Sequence, residues 1–286
     1  MYFWVFQSIN AIAFGSLLFM IASGFSLIFG LMDIVNLTHA IFYMMGSYIG
    51  YTVFVHTGSF FLAIITAGVV VSLIGGLKYR FFLQNLHGKP LNQVLLCLGF
   101  LFVFDDLLLI IFGGDSLIID IPDMLRGATT IGNIYFPNYR LFLILIGLVL
   151  IIILHFLIEK TKIGSLIRAG VDDEEMVRAM GININRIFLL VYILGIFLAA
   201  MGGVFGGVIL GMQPRMAFSV LPLALVVVII GGKGNIKGAY FGSIVVAFLD
   251  NFGRALFPEL SYFTLFLPMV LILTFKPEGL FGKSNS

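Results

Sequence analysis

Residues 159–186 read Glu-Lys-Thr-Lys-Ile-Gly-Ser-Leu-Ile-Arg-Ala-Gly-Val-Asp-Asp-Glu-Glu-Met-Val-Arg-Ala-Met-Gly-Ile-Asn-Ile-Asn-Arg, and nowhere else does this apolar chain stay charged for so long. Asp172 followed three residues later by Glu175 has the spacing of a capping box, with acids in the first turn, where the helix dipole favours them. Met176, Ala179 and Met180 then share one face, and Gly181 suits a left-handed C-cap. The expected object is a helix of roughly 8 residues, about 12 Å long, outside the bilayer between two spans. Its apolar face has little of its own chain to bury against, so it should dock on something else. The alternative is an ordinary solvated loop.

Everything around this stretch is membrane-like. The chain has 286 residues, 60% hydrophobic and 10% charged, with mean hydropathy +1.13. A soluble domain carries roughly 25% charged residues, and many long apolar runs make the chain polytopic. A net charge of +2 is too small for a nucleic-acid partner. Cys97, the single cysteine, excludes an intrachain disulfide and reads as a small core residue. Met1–Ile9 carries no Lys or Arg, so the N-terminus lacks the n-region of a cleaved signal peptide and reads as part of the first span.

Apolar segments fall near 5–30, 37–56, 60–77, 92–112, 139–158, 187–211, 218–231, 238–252 and 260–275. The predicted fold is therefore all-α, a single transmembrane domain over 1–286 with about 8 to 9 membrane segments, some short or broken. The segments 218–231 and 238–252 are short: either tilted spans or the arms of a re-entrant hairpin. Lys78, Arg80 and Lys89 fall in one connection, and Lys160, Lys162, Arg168, Arg178 and Arg186 in another. Lys233 with Lys237, and Lys276 with Lys283 in the tail, complete the set. Counting segments puts all four groups on one face, which the positive-inside rule makes cytoplasmic. The N-terminus and the 113–138 loop then lie outside, giving N-out/C-in.

Two stretches break the helical pattern. Residues 28–40 bring Gly30, Asp33, Asn36, Thr38 and His39 between the first two segments; residues 229–239 bring Gly231, Gly232, Gly234 and Gly238 between a later pair. Backbone outside a helix cannot face lipid, so such breaks are buried in protein or line a watery cavity. Matching breaks in two halves of a transporter point to its pathway or moving part. Asn36, Thr38, His39 and Tyr43 are pathway candidates, or they satisfy backbone at the break. Asp105 and Asp106 interrupt the span 92–112; on a helix at most one points straight into a central pathway. They form a polar pathway wall or are structural acids near the outer end of the span. The glycines from Gly202 to Gly211 build a close helix-packing face.

No catalytic set emerges. His39, His56, His87 and His155 show no metal-ligand spacing, and Gly231-Gly232-Lys233-Gly234 lacks the spacing of a phosphate loop.

Gly24-Phe25-Ser26-Leu27-Ile28-Phe29-Gly30, Asn36-Leu37-Thr38-His39-Ala40 and Phe42-Tyr43-Met44-Met45-Gly46 together resemble the opening of branched-chain amino acid ABC-importer permeases. Gly164 with Ile167-Arg168-Ala169, Gly181-Ile182-Asn183, Gly231 to Ala239 and Lys276-Pro277-Glu278-Gly279-Leu280-Phe281-Gly282 follow in the family's order. The resemblance implies a permease subunit of the bacterial cytoplasmic membrane working with a second, similar permease, two cytoplasmic ATPases and an extracytoplasmic solute-binding protein. ATP and Mg would sit on the ATPases, with no cofactor in this chain. It makes 159–186 the ATPase coupling loop: Glu175 and Gly181 keep the Glu and Gly of the importers' Glu-Ala-Ala-three-residues-Gly contact motif, while Met176 and Val177 replace the alanines. Asp172, Met176, Ala179 and Met180 complete the expected contact. Relatives of this kind also carry urea, short amides and aromatic acids, and the Asp105–Asp106 pair stands where neutral amides are usual. Outside the resemblance, a stand-alone secondary transporter would use Asp105, Asp106 or His39 as an ion relay; an intramembrane enzyme lacks a nucleophile–base pair.

Overall fold

The structure, a computed structural model, describes residues 2–32, 34–86, 88–132 and 134–282; Asp33, His87 and Lys283, and the side chain of Asp172, lie outside the described residues. In lipid, backbone polar groups are satisfied within helices, and the nine apolar segments are all helical. They are α1 (Tyr2–Met32), α2 (His39–Thr57), α3 (Phe60–Lys78), α4 (Pro90–Phe112), α5 (Asn138–Lys160), α8 (Ile184–Ile209), α9 (Met216–Gly231), α10 (Ile236–Leu256) and α11 (Ser261–Phe275). Two short helices, α6 (Lys162–Asp172) and α7 (Glu174–Ala179), occupy the charged stretch. Phe3–Gly30, Phe60–Leu86, Pro90–Phe112, Asn138–Lys160 and Ile184–Ile209 are each long and apolar enough to cross a bilayer, and Met216–Gly231 and Phe266–Phe275 are shorter apolar helices. This is a polytopic helical membrane protein.

Besides the helices the described residues hold one hairpin, in which β1 (Ala128–Ile131) pairs antiparallel with β2 (Ile134–Pro137), Ala128 opposite Pro137, within the 113–138 loop. That loop is tied down by Leu117 and Met212, which exchange backbone bonds of 2.8 and 2.7 Å, and by the buried Ile119. Gly30 does not break a helix, since α1 runs through it to Met32. Lys78 is not a loop residue; it ends α3, buried, where the helix widens into a π-turn over Tyr79–Leu83.

α8 is the hub, packed against α1, α2 and α3, while α1 also carries α10. Lipid is as apolar as Leu, so helices gain by close van der Waals approach and small residues gather at the contacts. A Cβ on Gly24 would overlap the backbone of Gly195, one on Gly46 the backbone of Ala200, and one on Gly203 the carbonyl of Tyr43. Within the Gly202–Gly211 run, Gly203 and Gly206 thus meet Tyr43 of α2, while Gly207 and Gly211 meet Ile119 and Ile118 of the 113–138 loop. Gly99, on the outward side of α4, meets nothing within 4 Å. Gly46→Ala is expected to lower stability by about 1–3 kcal/mol through overpacking, whereas Gly99→Ala gains up to about 1 kcal/mol of helix propensity. Thermal unfolding of the two variants in detergent reads the contrast.

Candidate functional site

The charged stretch folds as two helices rather than one. Thr161, extended at φ −104° and ψ 158°, ends α5 and caps α6 by accepting the Gly164 N–H at 3.1 Å. Arg168 donates to the Ile158 carbonyl, so α6 is pinned to the end of α5. Asp172 belongs to α6, and Asp173 is the cap of α7, accepting from the Met176 N–H at 2.9 Å. The capping acid is thus one residue later than the spacing of Asp172 and Glu175 suggests, because α6 uses Asp172 in its own last turn. Gly181 closes the patch at φ +80°, a conformation that favours glycine.

One face of α7 is anchored: Val177 is buried, and Arg178 bonds Glu174 and Asn185 at 2.6 and 2.9 Å. The opposite face carries Glu175, Met176, Ala179 and Met180, all exposed. Met176 at 59% and Met180 at 70% exposure leave much apolar surface uncovered on a helix whose other side is fixed.

At the first break the chain leaves α1 and enters α2 through non-helical residues ending in a turn at Leu37–Thr38; Ile34, Asn36, Thr38 and His39 are fully buried. The residue that holds this segment is Lys78, which sequence reasoning had assigned to an orientation-setting loop. Its Nζ lies 2.6 Å from Thr38 Oγ1, 3.0 Å from Asn36 Oδ1 and 3.3 Å from Cys97 Sγ. Three acceptors around a group with three donors is the arrangement an ammonium requires, and the Phe42 and Phe100 rings face it at 5.7 and 5.6 Å. Thr38 passes its own proton to the Cys97 carbonyl at 3.1 Å, and Gln93 accepts from the Val35 N–H at 3.1 Å. Thus α3 and α4 supply partners for Val35, Asn36 Oδ1 and Thr38 at the break, while Asn36 Nδ2 and His39 Nδ1 have none among the described residues.

The structure therefore brings Asn36 and Thr38 together and puts His39 beside them. His39 Nε2 donates to the Ile21 carbonyl at 3.0 Å, and its ring packs on Phe25. Tyr43 lies one turn on, buried against Gly203 and Gly206 of α8 rather than on an open face. Asp105 and Asp106 sit apart, two turns along α4 from Cys97. Asp105 is buried beside the backbone N–H and guanidinium of Arg215, and its Oδ1 has no partner among the described residues. Asp106 faces outward and is exposed. Only the stretch Leu101–Phe112 gave a signal for these acids; nothing in the sequence tied them to Arg215.

The second break is shorter. Gly231 ends α9, Gly232 and Gly234 take φ +93° and +72°, and Asn235 caps α10 by accepting from the Gly238 N–H at 2.9 Å. Gly238 lies inside α10, where a Cβ would strike the Gly231 carbonyl; likewise a Cβ on Gly30 would strike Gly234. The second break therefore packs against the last turns of α1, just before the first break. The tail seals this end, Leu280 donating to the Ile230 carbonyl at 2.8 Å and Asn235 to the Phe281 carbonyl at 2.8 Å. Among the described residues no group of three His, Cys, Asp or Glu could hold a metal ion.

The fold is a polytopic helical bundle with buried breaks and a small half-anchored helix between two long apolar helices, an architecture of the membrane-transport class. Residues 8–274 match the family model described as the permease component of the branched-chain amino acid transport system, and the chain belongs to this family. It is a multi-pass transport subunit rather than an enzyme. It is 25% identical over 99% of its length to the high-affinity branched-chain amino acid transport system permease protein BraD of Pseudomonas aeruginosa, covering 97% of that protein. It is 22% identical to the corresponding permease LivH of Escherichia coli K12, over 97% of this chain and 95% of the relative. A part of the chain, 41%, is 30% identical to 39% of the ribose import permease protein RbsC of the same organism. No solved structure matches the chain.

The Lys78 cluster makes a double-mutant test. Asn36→Leu removes one acceptor from a buried amine and is expected to cost about 1.5–3 kcal/mol. Lys78→Met added to it restores part of that loss, because an apolar pair replaces a stranded charge. Unfolding midpoints of the wild type, the two single variants and the double variant measure the coupling.

Proposed function

We propose that this chain forms the translocation pathway of an ATP-driven importer of branched-chain or closely related amino acids in the bacterial cytoplasmic membrane. It works beside a second, homologous permease, takes solute from an extracytoplasmic binding protein, and is moved by two cytoplasmic ATPases that carry ATP and Mg. Family membership and full-length similarity to two branched-chain amino acid permeases support the substrate class. The observation that carries the coupling is α7. Val177 fixes one side of it while Glu175, Met176, Ala179 and Met180 present the other, and Gly181 turns the chain back toward α8.

An engine transfers work only if it binds this patch differently in its two nucleotide states. From α7 the path inward is stiff. Arg178 reaches Asn185 at the start of α8, a Cβ on Gly170 would strike Ile184, and α8 packs on α1, α2 and α3. The N-out/C-in arrangement puts α6, α7 and the tail seal on the ATPase side. Asn36, Thr38, His39 and Tyr43 then belong to the inner break, and Asp105 and Asp106 to the outer half.

Burying a Met side chain contributes about 1.5–3 kcal/mol, so Met176→Ala with Met180→Ala is expected to weaken ATPase association at least tenfold. Glu175→Lys should do the same with the membrane fold intact. Copurification of ATPase subunits with the full chain measures this; an unchanged complex would remove the assignment. Topology is read in a Cys97→Ser background by single cysteines at Met180 and at Thr57: a membrane-impermeant thiol reagent applied to intact cells should reach the second and not the first.

A further inference from the structure

The α1 N-terminus, the α5 N-terminus and the α10 C-terminus enclose a hollow of about 300 Å³ that none of the transport argument uses. Its polar lining is Asn10, Arg140, Asp250, Asn251 and Arg254, and its apolar wall includes Phe14 and Leu210. The charges leave a net excess of donors. Both oxygens of Asp250 are engaged by Arg254 Nε at 2.9 Å. Arg140 donates to Asn10 Oδ1 and lies over the Phe6 ring, and among the described residues no carboxylate pairs with it. A guanidinium has five N–H donors, so Arg140 and the outward edge of Arg254 present unfilled donors to the hollow. The one acid there is already neutralised. That chemistry suits an anion and rejects a free ammonium.

The surroundings say where the anion comes from. Trp4 stacks on Phe252 at 5.5 Å, Phe252 on Phe248 at 5.6 Å, and Phe6 on Phe136 at 5.8 Å. Among these rings Trp4 is of the type enriched at the depth of lipid headgroups. On the other flank of the same turns of α10, an apolar hollow of about 290 Å³ is lined by Phe248, Phe252, Leu256 and Thr264. A ligand with a phosphate at the level of Arg140 and hydrocarbon against Phe14 and Leu210 fits the first hollow, while the second opens across α10 from it. Basic pockets between transmembrane helices recognise headgroups in this way.

We propose that this hollow is a binding site for the phosphate of an anionic phospholipid, held by Arg140 and Arg254. A zwitterionic lipid is disfavoured because its cationic group finds Asp250 already paired. The site is independent of the ATPase coupling reading and of which face is cytoplasmic.

The full chain, purified in detergent, is offered phosphatidylglycerol, phosphatidylcholine, inorganic phosphate or L-leucine, with native mass spectrometry and thermal unfolding as readouts. Phosphatidylglycerol should be retained and raise the unfolding midpoint, the other three leaving it unchanged. Arg140→Gln should reduce retention roughly tenfold or more, the loss expected for one charge-assisted bond, and Arg140→Lys less. Should Arg140→Gln not fold, Arg254→Gln, whose side chain is 64% exposed, reads the same loss. Retention unaffected by any of these variants overturns the proposal. So does an equal shift from inorganic phosphate, which makes the ligand a soluble anion, or displacement of the lipid by L-leucine, which makes the hollow a solute site.

Discussion

Backbone that leaves a helix inside a bilayer has no water to turn to, and this fold is arranged around meeting that demand at two places. At the first break Lys78, Cys97 and Gln93, from helices that do not contain the break, supply the missing partners. At the second, the tail folds back over Gly231 and Asn235. Gly234 of the second break packs on Gly30 in the last turns of α1, so the second interruption sits against the helix that leads into the first.

Glycine makes this possible elsewhere as well. Helices surrounded by lipid gain no hydrophobic free energy from meeting one another and depend on many short dispersion contacts. Gly24 against Gly195, Gly46 against Ala200 and Gly203 against Tyr43 bring backbones together around α8. The same helix begins beside α7, so the most tightly packed element of the bundle is also the one nearest the proposed docking patch. Interdigitated packing of this kind moves as a body rather than yielding gradually, which is what transmission from a peripheral helix to a membrane pathway requires.

Lys78 and Asp105 show how little local pattern reveals about buried charge. Both lie in strongly apolar helices, and both are 3% exposed. Lys78 has a full set of partners drawn from residues 36, 38 and 97. Asp105 keeps one oxygen without a partner among the described residues. In sequence Lys78 looks like one of a cluster of loop cations, since Arg80 and Lys89 follow it closely.

Hydropathy alone was enough to find the nine apolar helices and the polytopic class, because a span is a local property: about 20 apolar residues that close their own hydrogen bonds. Glycine at 181 announced the end of α7, since a left-handed residue is chosen by local sterics. The motifs that carried the family resemblance were legible for the same reason. What only the tertiary structure decided were the long-range pairings: Lys78 beneath the first break, the tail over the second, Arg215 beside Asp105, and Arg140 with Arg254 around one hollow. Nor did the sequence indicate that the charged stretch splits at Asp173 or that the 113–138 loop holds a hairpin. Each of these joins residues that compete among several plausible partners, and the choice is made by which helices pack side by side.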